Sequence, residues 1–290
     1  MRSAVYLGPR RIEVCQREIP VPAEDEVLIR VMACGVCGSD VHIFEGDQGS
    51  TQTVPPLIPG HEFSGEVVEI GNRVEGFQIG DRVTVDPAKY CNECYYCQNG
   101  QVHLCEEMGA IGTNLDGGFS EFAKVPFRLL YPLADDVSYE EGAMAEPLAC
   151  CIHGMDRIQI SLSDNVVIFG GGFIGQLLLQ LSLLRGASKV VVVEPIEDKR
   201  KMAEEFGAHF TINPLEEDVK RALSDQGMDH IQVVIDTSGR PENYQEAVAS
   251  GKIDVKKVAS HYFHFDQVQE AMTRSVEEKA EIIKSVISFS

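Results

Sequence analysis

The sequence predicts an α/β fold in two parts: a mostly β first part, then a doubly wound parallel sheet that starts near residue 155. Three observations carry this prediction. Short β-prone runs bounded by Gly, Pro and Asp fill roughly the first 130 residues. From Glu140 onward, apolar strands alternate regularly with amphipathic helices, the pattern of a parallel sheet with helices on both faces. The cluster Gly170-x-Gly172-x-x-Gly175 stands where a strand hands over to a helix.

Taken in order, Glu26–Val31, Phe63–Ile70, Asp81–Val85 and Phe119–Val125 read as strands, and Tyr139–Arg157 as one helical stretch. Val166–Gly170 is a buried-type strand. The helix after it has Ile174, Leu177, Leu178 and Leu181 at helical spacing and is stopped by Gly186. Val190–Glu194 is the second strand, Glu197–Phe206 a helix closed by Gly207, and Phe210–Ile212 the third strand. Pro214 is placed to open a further helix, and Ile231–Thr237 is the fourth strand. Pro241–Ser250 reads as the next crossover helix. A fifth strand should follow, but Gly251–Val255 is a polar turn, and no apolar β run precedes a C-terminal helix over Asp266–Arg274. A doubly wound dinucleotide sheet has six strands, so the chain is short of its last two strands and the helix between them. The shortfall falls near Ser250–Gly251. A true deletion predicts an ordinary peptide bond there, and an omitted segment predicts a wide Cα gap.

Composition narrows the function. The 290 residues are 44% hydrophobic and 24% charged, which allows two domains at most. No apolar run approaches the ~20 residues of a membrane span. Met1–Val14 carries Arg10, Arg11 and Glu13 and reads as a first strand, not a signal peptide, so a cytoplasmic location is expected. The net charge of −20 repels phosphate backbones and argues against nucleic acid or an anionic membrane as partner. Without a secretory signal, the nine cysteines point to metal binding or burial before disulfides.

Three constellations carry chemistry. Cys91-x2-Cys94-x2-Cys97-x7-Cys105 puts four thiolates on one polar loop, the spacing of a closed structural zinc site, with iron–sulfur ligation as the metal alternative. Metal binding would then supply the loop's folding energy. In the Gly170–Gly175 turn, the glycines permit close approach of a pyrophosphate to a helix N-terminus. Glu194, at the end of the second strand, can accept hydrogen bonds from both adenosine ribose hydroxyls and would repel a 2′-phosphate, so NAD is favoured over NADP. Cys37, His61 and Glu62 suit a zinc with one open position, although each residue taken singly reads equally as a buried thiol or a bland polar pair. His153, His261 and His264 read as packing or surface residues, Cys150 and Cys151 as core, and Phe44 as either pocket lining or core.

Gly35-Val-Cys-Gly-Ser-Asp-Val-His42, Gly60-His-Glu62, the four-cysteine loop, Glu146-Pro147-Leu148 and Gly170-Gly-Gly-Phe-Ile-Gly175 follow one another as in the zinc-dependent medium-chain alcohol dehydrogenases, which the chain resembles over nearly its whole length. It is most similar to the polyol branch (sorbitol, arabitol and butanediol dehydrogenases). There a glutamate, here Glu146, stands where alcohol dehydrogenases proper have a cysteine.

The resemblance implies a GroES-like β-barrel catalytic domain over 1–154 and a Rossmann domain over 155–250. It also implies a segment 251–290 that returns to the catalytic domain and ends in a strand near Ile282–Ile287, with the active site in the cleft between the domains. It implies a catalytic zinc on Cys37, His61 and Glu62, reached by Glu146 directly or through water, and a structural zinc on the four-cysteine loop. A proton relay would run through Ser39, a nicotinamide-ribose hydroxyl and His42, with Asp40 orienting the loop. Phe173 and Ile174 fall in the cofactor turn beside Gly170, Gly172 and Gly175, and Lys199 joins Glu194 at the adenosine ribose. The implied reaction is hydride transfer from a secondary alcohol of a polyol, sugar alcohol or diol to NAD, by a homo-dimer or homo-tetramer. The shortfall after Ser250 opens the alternative of a catalytically inactive, zinc-stabilised nucleotide-binding remnant, because in relatives a Gly-rich strand there meets the nicotinamide.

Overall fold

The computed structural model describes residues 1–47, 52–238, 261–277 and 285–288. The chain divides into two compact units, Met1–Glu146 with His261–Ser290, and Pro147–Ser260.

In the first unit, β1 (Arg2–Gly8) and β2 (Arg11–Gln16) form an antiparallel hairpin. The spine is β3 (Glu26–Val36), almost every residue of which is buried or nearly so. One edge of β3 pairs antiparallel with β4 (Glu62–Ile70), which continues through β5 (Arg82–Val85). Between β3 and β4 lies α1 (Gly38–Glu45). A small ribbon of β6 (Ala88–Lys89) and β7 (Gly109–Ala110) brackets the cysteine loop, which carries the short helix α2 (Tyr95–Gln98). The other edge of β3 takes β8 (Phe122–Pro126) along its first half. Next, β9 (Leu130–Pro132) closes on β5. Helices α3 (Tyr139–Ala143) and α4 (Ala145–Asp156) follow.

The second unit holds β10 (Asn165–Phe169), α5 (Phe173–Leu184), β11 (Lys189–Val193), α6 (Glu197–Glu205), β12 (Phe210–Ile212), α7 (Val219–Asp225) and β13 (Val233–Asp236). Its strands are parallel in the order β12-β11-β10-β13. The order reverses beside β10, so the turn after β10 occupies the switch point where open α/β sheets bind ligands. The segment returning to the first unit contributes β14 (His261–His264), α8 (Val268–Glu277) and β15 (Ser285–Ser288). β15 runs antiparallel to the second half of β3, with Ile287 opposite Cys34. The core of this unit joins Ile29 and Val31 of β3 to Phe63, Phe119, Phe265, Met272 and Ile287.

Several expectations change in detail. β3 runs on past Val31 to Val36, because the Gly in Ala33-Cys34-Gly35 is required by packing and is not a turn signal. Phe119 precedes its strand; its amide donates to Pro59 O. The stretch 139–157 is two helices, since Met144 ends α3 and α4 restarts at once. The first is fixed by a capping box in which Ser138 Oγ accepts from Glu141 N and Glu141 Oε2 from Ser138 N at 2.9 Å. Pro214 opens no helix: Asn213 Oδ1 accepts from Leu215 N to form a turn, and Asp218 caps α7 by accepting from Arg221 N. Ile174, one of the apolar positions at helical spacing, is 37% exposed, whereas Gln176, Gln180 and Ser182 of the same helix are buried. β14 was not foreseen from its His-Tyr-Phe-His sequence. The expected helix 241–250 and the Ser250–Gly251 junction lie outside the described residues. No helix among the described residues is long and apolar enough to cross a membrane.

Ile29, wholly buried in β3, anchors this core. Ile29→Ala should cost about 2–5 kcal/mol, read as a lower denaturant midpoint at unchanged slope.

Candidate functional site

The β3–β4 register sets Gly35 opposite Glu62. Two residues beyond Gly35, Cys37 caps α1, and just before β4 the chain passes through Gly60 and His61. The strand pairing therefore brings Cys37, His61 and Glu62 together, with one ligand atom from each lying within 4.8 Å of the others. His61 and Glu62 are buried. Gly35 makes the room, since a Cβ there would stand 2.1 Å from Glu62 Oε2. A half-buried thiol, with a buried imidazole and a buried carboxylate, forms a donor set suited to zinc with one position left open. Burying these ionisable groups together would be costly without a cation among them.

Asp40 braces the cluster. Its side chain is buried, Oδ2 accepts from Cys37 N at 2.8 Å, and Oδ1 accepts from Gly60 N at 3.4 Å and stands 3.6 Å from His61 Nδ1. Burial pulls the His61 pKa down, but the charge and hydrogen bonding of Asp40, then of Cys37, outweigh it and push the imidazole up to about 12. Ser39 Oγ lies 3.4 Å from His61 Nε2, at the rim of the donor set. His42, one turn on along α1, is exposed, with Nδ1 3.1 Å from Asp47 Oδ2. Glu146, in the first turn of α4, is not among the donors that lie within 4.8 Å of one another.

The four cysteines of the loop also converge within 4.8 Å. Cys91 Sγ and Cys97 Sγ are 3.9 Å apart, close to the roughly 3.8 Å edge of a tetrahedron built on Zn–S bonds of about 2.3 Å. Backbone amides of Glu93 and Cys94 donate to Cys91 Sγ, and that of Cys91 to Cys105 Sγ. Backbone N–H groups of Cys97 and Glu106 draw Cys94 down to about 6, while burial and hydrogen bonding to Cys94 push Cys97 up to about 12. A divalent cation would let all four ionise. No residue of α2 is buried, so the loop has little core of its own.

In the second unit, the Gly170–Gly175 turn leads into α5 with Gly172 as N-cap. A Cβ on Gly175 would stand 1.9 Å from Gly170 O, so only glycine allows this helix to pack against its own entry turn. Glu194 is buried, and its carboxylate already accepts from Gly171 N at 2.7 Å and Ile196 N at 3.0 Å. Each oxygen retains a lone pair, so ribose hydroxyls would add to this pattern. Lys199 is buried nearby, its pKa lowered by that burial against the charge of Glu194. Phe173 is buried and Ile174 half-exposed, so any role of theirs in anion binding runs through backbone N–H groups.

Gln176 and Thr237 were missed by sequence reading. Thr237 Oγ1 donates to Gly170 O, tying the end of β13 to the turn; its place as the last residue of the expected fourth strand is the available signal. Phe44 belongs to the core. Cys151 is buried but Cys150 is exposed, which corrects its reading as core.

Residues 23–135 match the family described as Alcohol dehydrogenase GroES-like domain, and 174–256 match Zinc-binding dehydrogenase. An uncharacterized zinc-type alcohol dehydrogenase-like protein, YdjJ, of Escherichia coli K12 is 32% identical over 346 residues, covering 99% of each chain. The chain belongs to the zinc-dependent medium-chain alcohol dehydrogenase superfamily. It fits the polyol-like branch, with a GroES-like unit and a Rossmann unit. L-threonine 3-dehydrogenase of Pyrococcus horikoshii is 36% identical, covering 86% of this chain and 71% of its own. Sorbitol dehydrogenase of Bacillus subtilis is 34% identical over 86% and 72%. Among solved structures, a zinc-binding dehydrogenase of Sinorhizobium meliloti 1021 bound to NADP superposes with a TM-score of 0.88 at 28% identity, covering 99% and 98%. The 346 positions aligned with the E. coli protein exceed the 290 residues of this chain by 56, so the relative carries at least that many positions without a counterpart here.

Gly35→Ala should push the Glu62 carboxylate off the donor set. Zinc affinity, measured by competition with a chromophoric chelator, is expected to fall at least about tenfold, with secondary structure by circular dichroism retained.

Proposed function

We propose that this chain oxidises a secondary alcohol of a polyol, sugar alcohol or vicinal diol, with NAD as hydride acceptor. The observation that carries the reading is the convergence of Cys37, His61 and Glu62 on the β3–β4 pair, with Ser39 at its rim. Zinc held by these three would supply Lewis acidity toward the substrate hydroxyl, and the nicotinamide would supply the hydride acceptor. Ser39 accepts the proton that the substrate hydroxyl gives up while releasing its own hydroxyl proton towards His42. His42, exposed and paired with Asp47, passes it to solvent. Asp40 holds the Cys37 and Gly60 backbones and orients His61, so the donor set keeps its shape as charge develops. Glu146, outside that set, is assigned a role through water. Glu194 selects NAD because its carboxylate repels a ribose 2′-phosphate. Cys91, Cys94, Cys97 and Cys105 would hold a second, structural zinc. Cysteines assigned to zinc ligation rather than to disulfides suit a reducing compartment, which favours the cytoplasm.

One observation favours a second reading, a nucleotide-binding remnant without turnover: the 56 or more positions of the E. coli relative that have no counterpart here. The test is NADH formation with sorbitol, arabitol, 2,3-butanediol and L-threonine, before and after chelation. Turnover of a polyol or diol that chelation abolishes supports the first reading. NAD binding with metal in place and no turnover of any of the four supports the second. On an active preparation, Ser39→Ala should lower kcat by about 10²–10⁴-fold while leaving the affinity for NADH unchanged.

A further inference from the structure

Helix α5 buries Leu177, Leu178 and Leu179 and, with them, three polar residues, Gln176, Gln180 and Ser182, of which Gln176 is 0% exposed. Its amide nitrogen donates to Gly171 O at 3.0 Å and to Lys199 O at 2.9 Å. Its amide oxygen is buried and has no hydrogen-bond partner among the described residues. An acceptor left so is a cost to folding. A methionine of similar length would fill the same space without it. The side chain is therefore poorly explained as packing, and its two donated bonds leave the helix, whereas Gln180 Nε2 and Ser182 Oγ donate to carbonyls of α5 itself.

Those bonds join the two parts of the candidate nucleotide site. Gly171 is held from both sides, its N–H by Glu194 Oε2 at 2.7 Å and its C=O by Gln176. Lys199 lies in the first turn of α6, and its carbonyl is the second acceptor. One buried amide thus fixes the glycine turn against the segment that carries Glu194 and Lys199. We propose that Gln176 is a positioning residue for the adenosine half of the dinucleotide, presetting the turn and α6 so that binding does not have to order them. The proposal rests on the nucleotide-binding reading of the turn.

The test compares the unsubstituted chain with Gln176→Met, titrating ADP-ribose by calorimetry and recording thermal unfolding in parallel. The Kd for ADP-ribose should rise about tenfold, with the Tm equal or higher. A lower Tm with an unchanged Kd shows a purely structural glutamine and overturns the proposal, as does an unchanged Kd at any Tm. Should the variant not fold, the unsubstituted protein decides by nuclear magnetic resonance. In the free protein the Gln176 side-chain amide protons should already be protected from exchange, as both donate in the structure, and rapid exchange without ligand overturns the clamp. If the unsubstituted chain binds no ADP-ribose, the nucleotide reading falls and takes the clamp with it. Binding that ignores position 176 sinks the clamp alone.

Discussion

Everything at the metal site depends on the antiparallel register that sets Gly35 opposite Glu62. Side chains alternate along a strand, so a slip of one residue between β3 and β4 would turn Glu62 to the other face and carry Cys37 out of reach of His61. The register is held from several sides. β8 and β15 pair with the far edge of β3, and Val27, Ile29, Val31 and Cys34 are buried along it. Asp40 adds a local lock by bonding the backbone on both sides of the donor set. The cost of gathering ionisable groups in a buried place is thus met by a rigid frame made almost entirely of ordinary core packing.

The second unit solves a related problem with backbone groups. The glycine turn must present free N–H groups to an anion while staying rigid, and glycine is the least rigid residue available. Glu194, Gln176 and Thr237 supply the rigidity, each bonded to Gly170 or Gly171 and each from a different element. The closeness of Gly175 to Gly170 O then leaves the helix little choice of approach.

What was legible in the sequence was whatever lies close together in it. The four-cysteine loop and the glycine turn announce themselves by spacing, because their geometry is made within one loop. The set Cys37, His61 and Glu62 is brought together by strand pairing, so spacing alone leaves it open, and only the resemblance to a known family singles it out in the sequence. The end of β3 was hidden because Gly35 reads as a turn, although it is there to admit Glu62. Pro214 misled for a similar reason, since Asn213 recruits it into a turn. Gln176 gave no signal at all: a polar residue in a helix reads as a solvent face, and only the three-dimensional burial of α5 shows otherwise.

The most direct test of the central claim is anomalous diffraction at the zinc edge from crystals of the zinc-loaded protein, which locates each ion independently of any assay. Two peaks are predicted, one inside the four-cysteine loop and one between Cys37 Sγ, His61 Nε2 and the Glu62 carboxylate. A peak at the cysteine loop alone, with the β3–β4 site well ordered and empty of metal, would contradict the account.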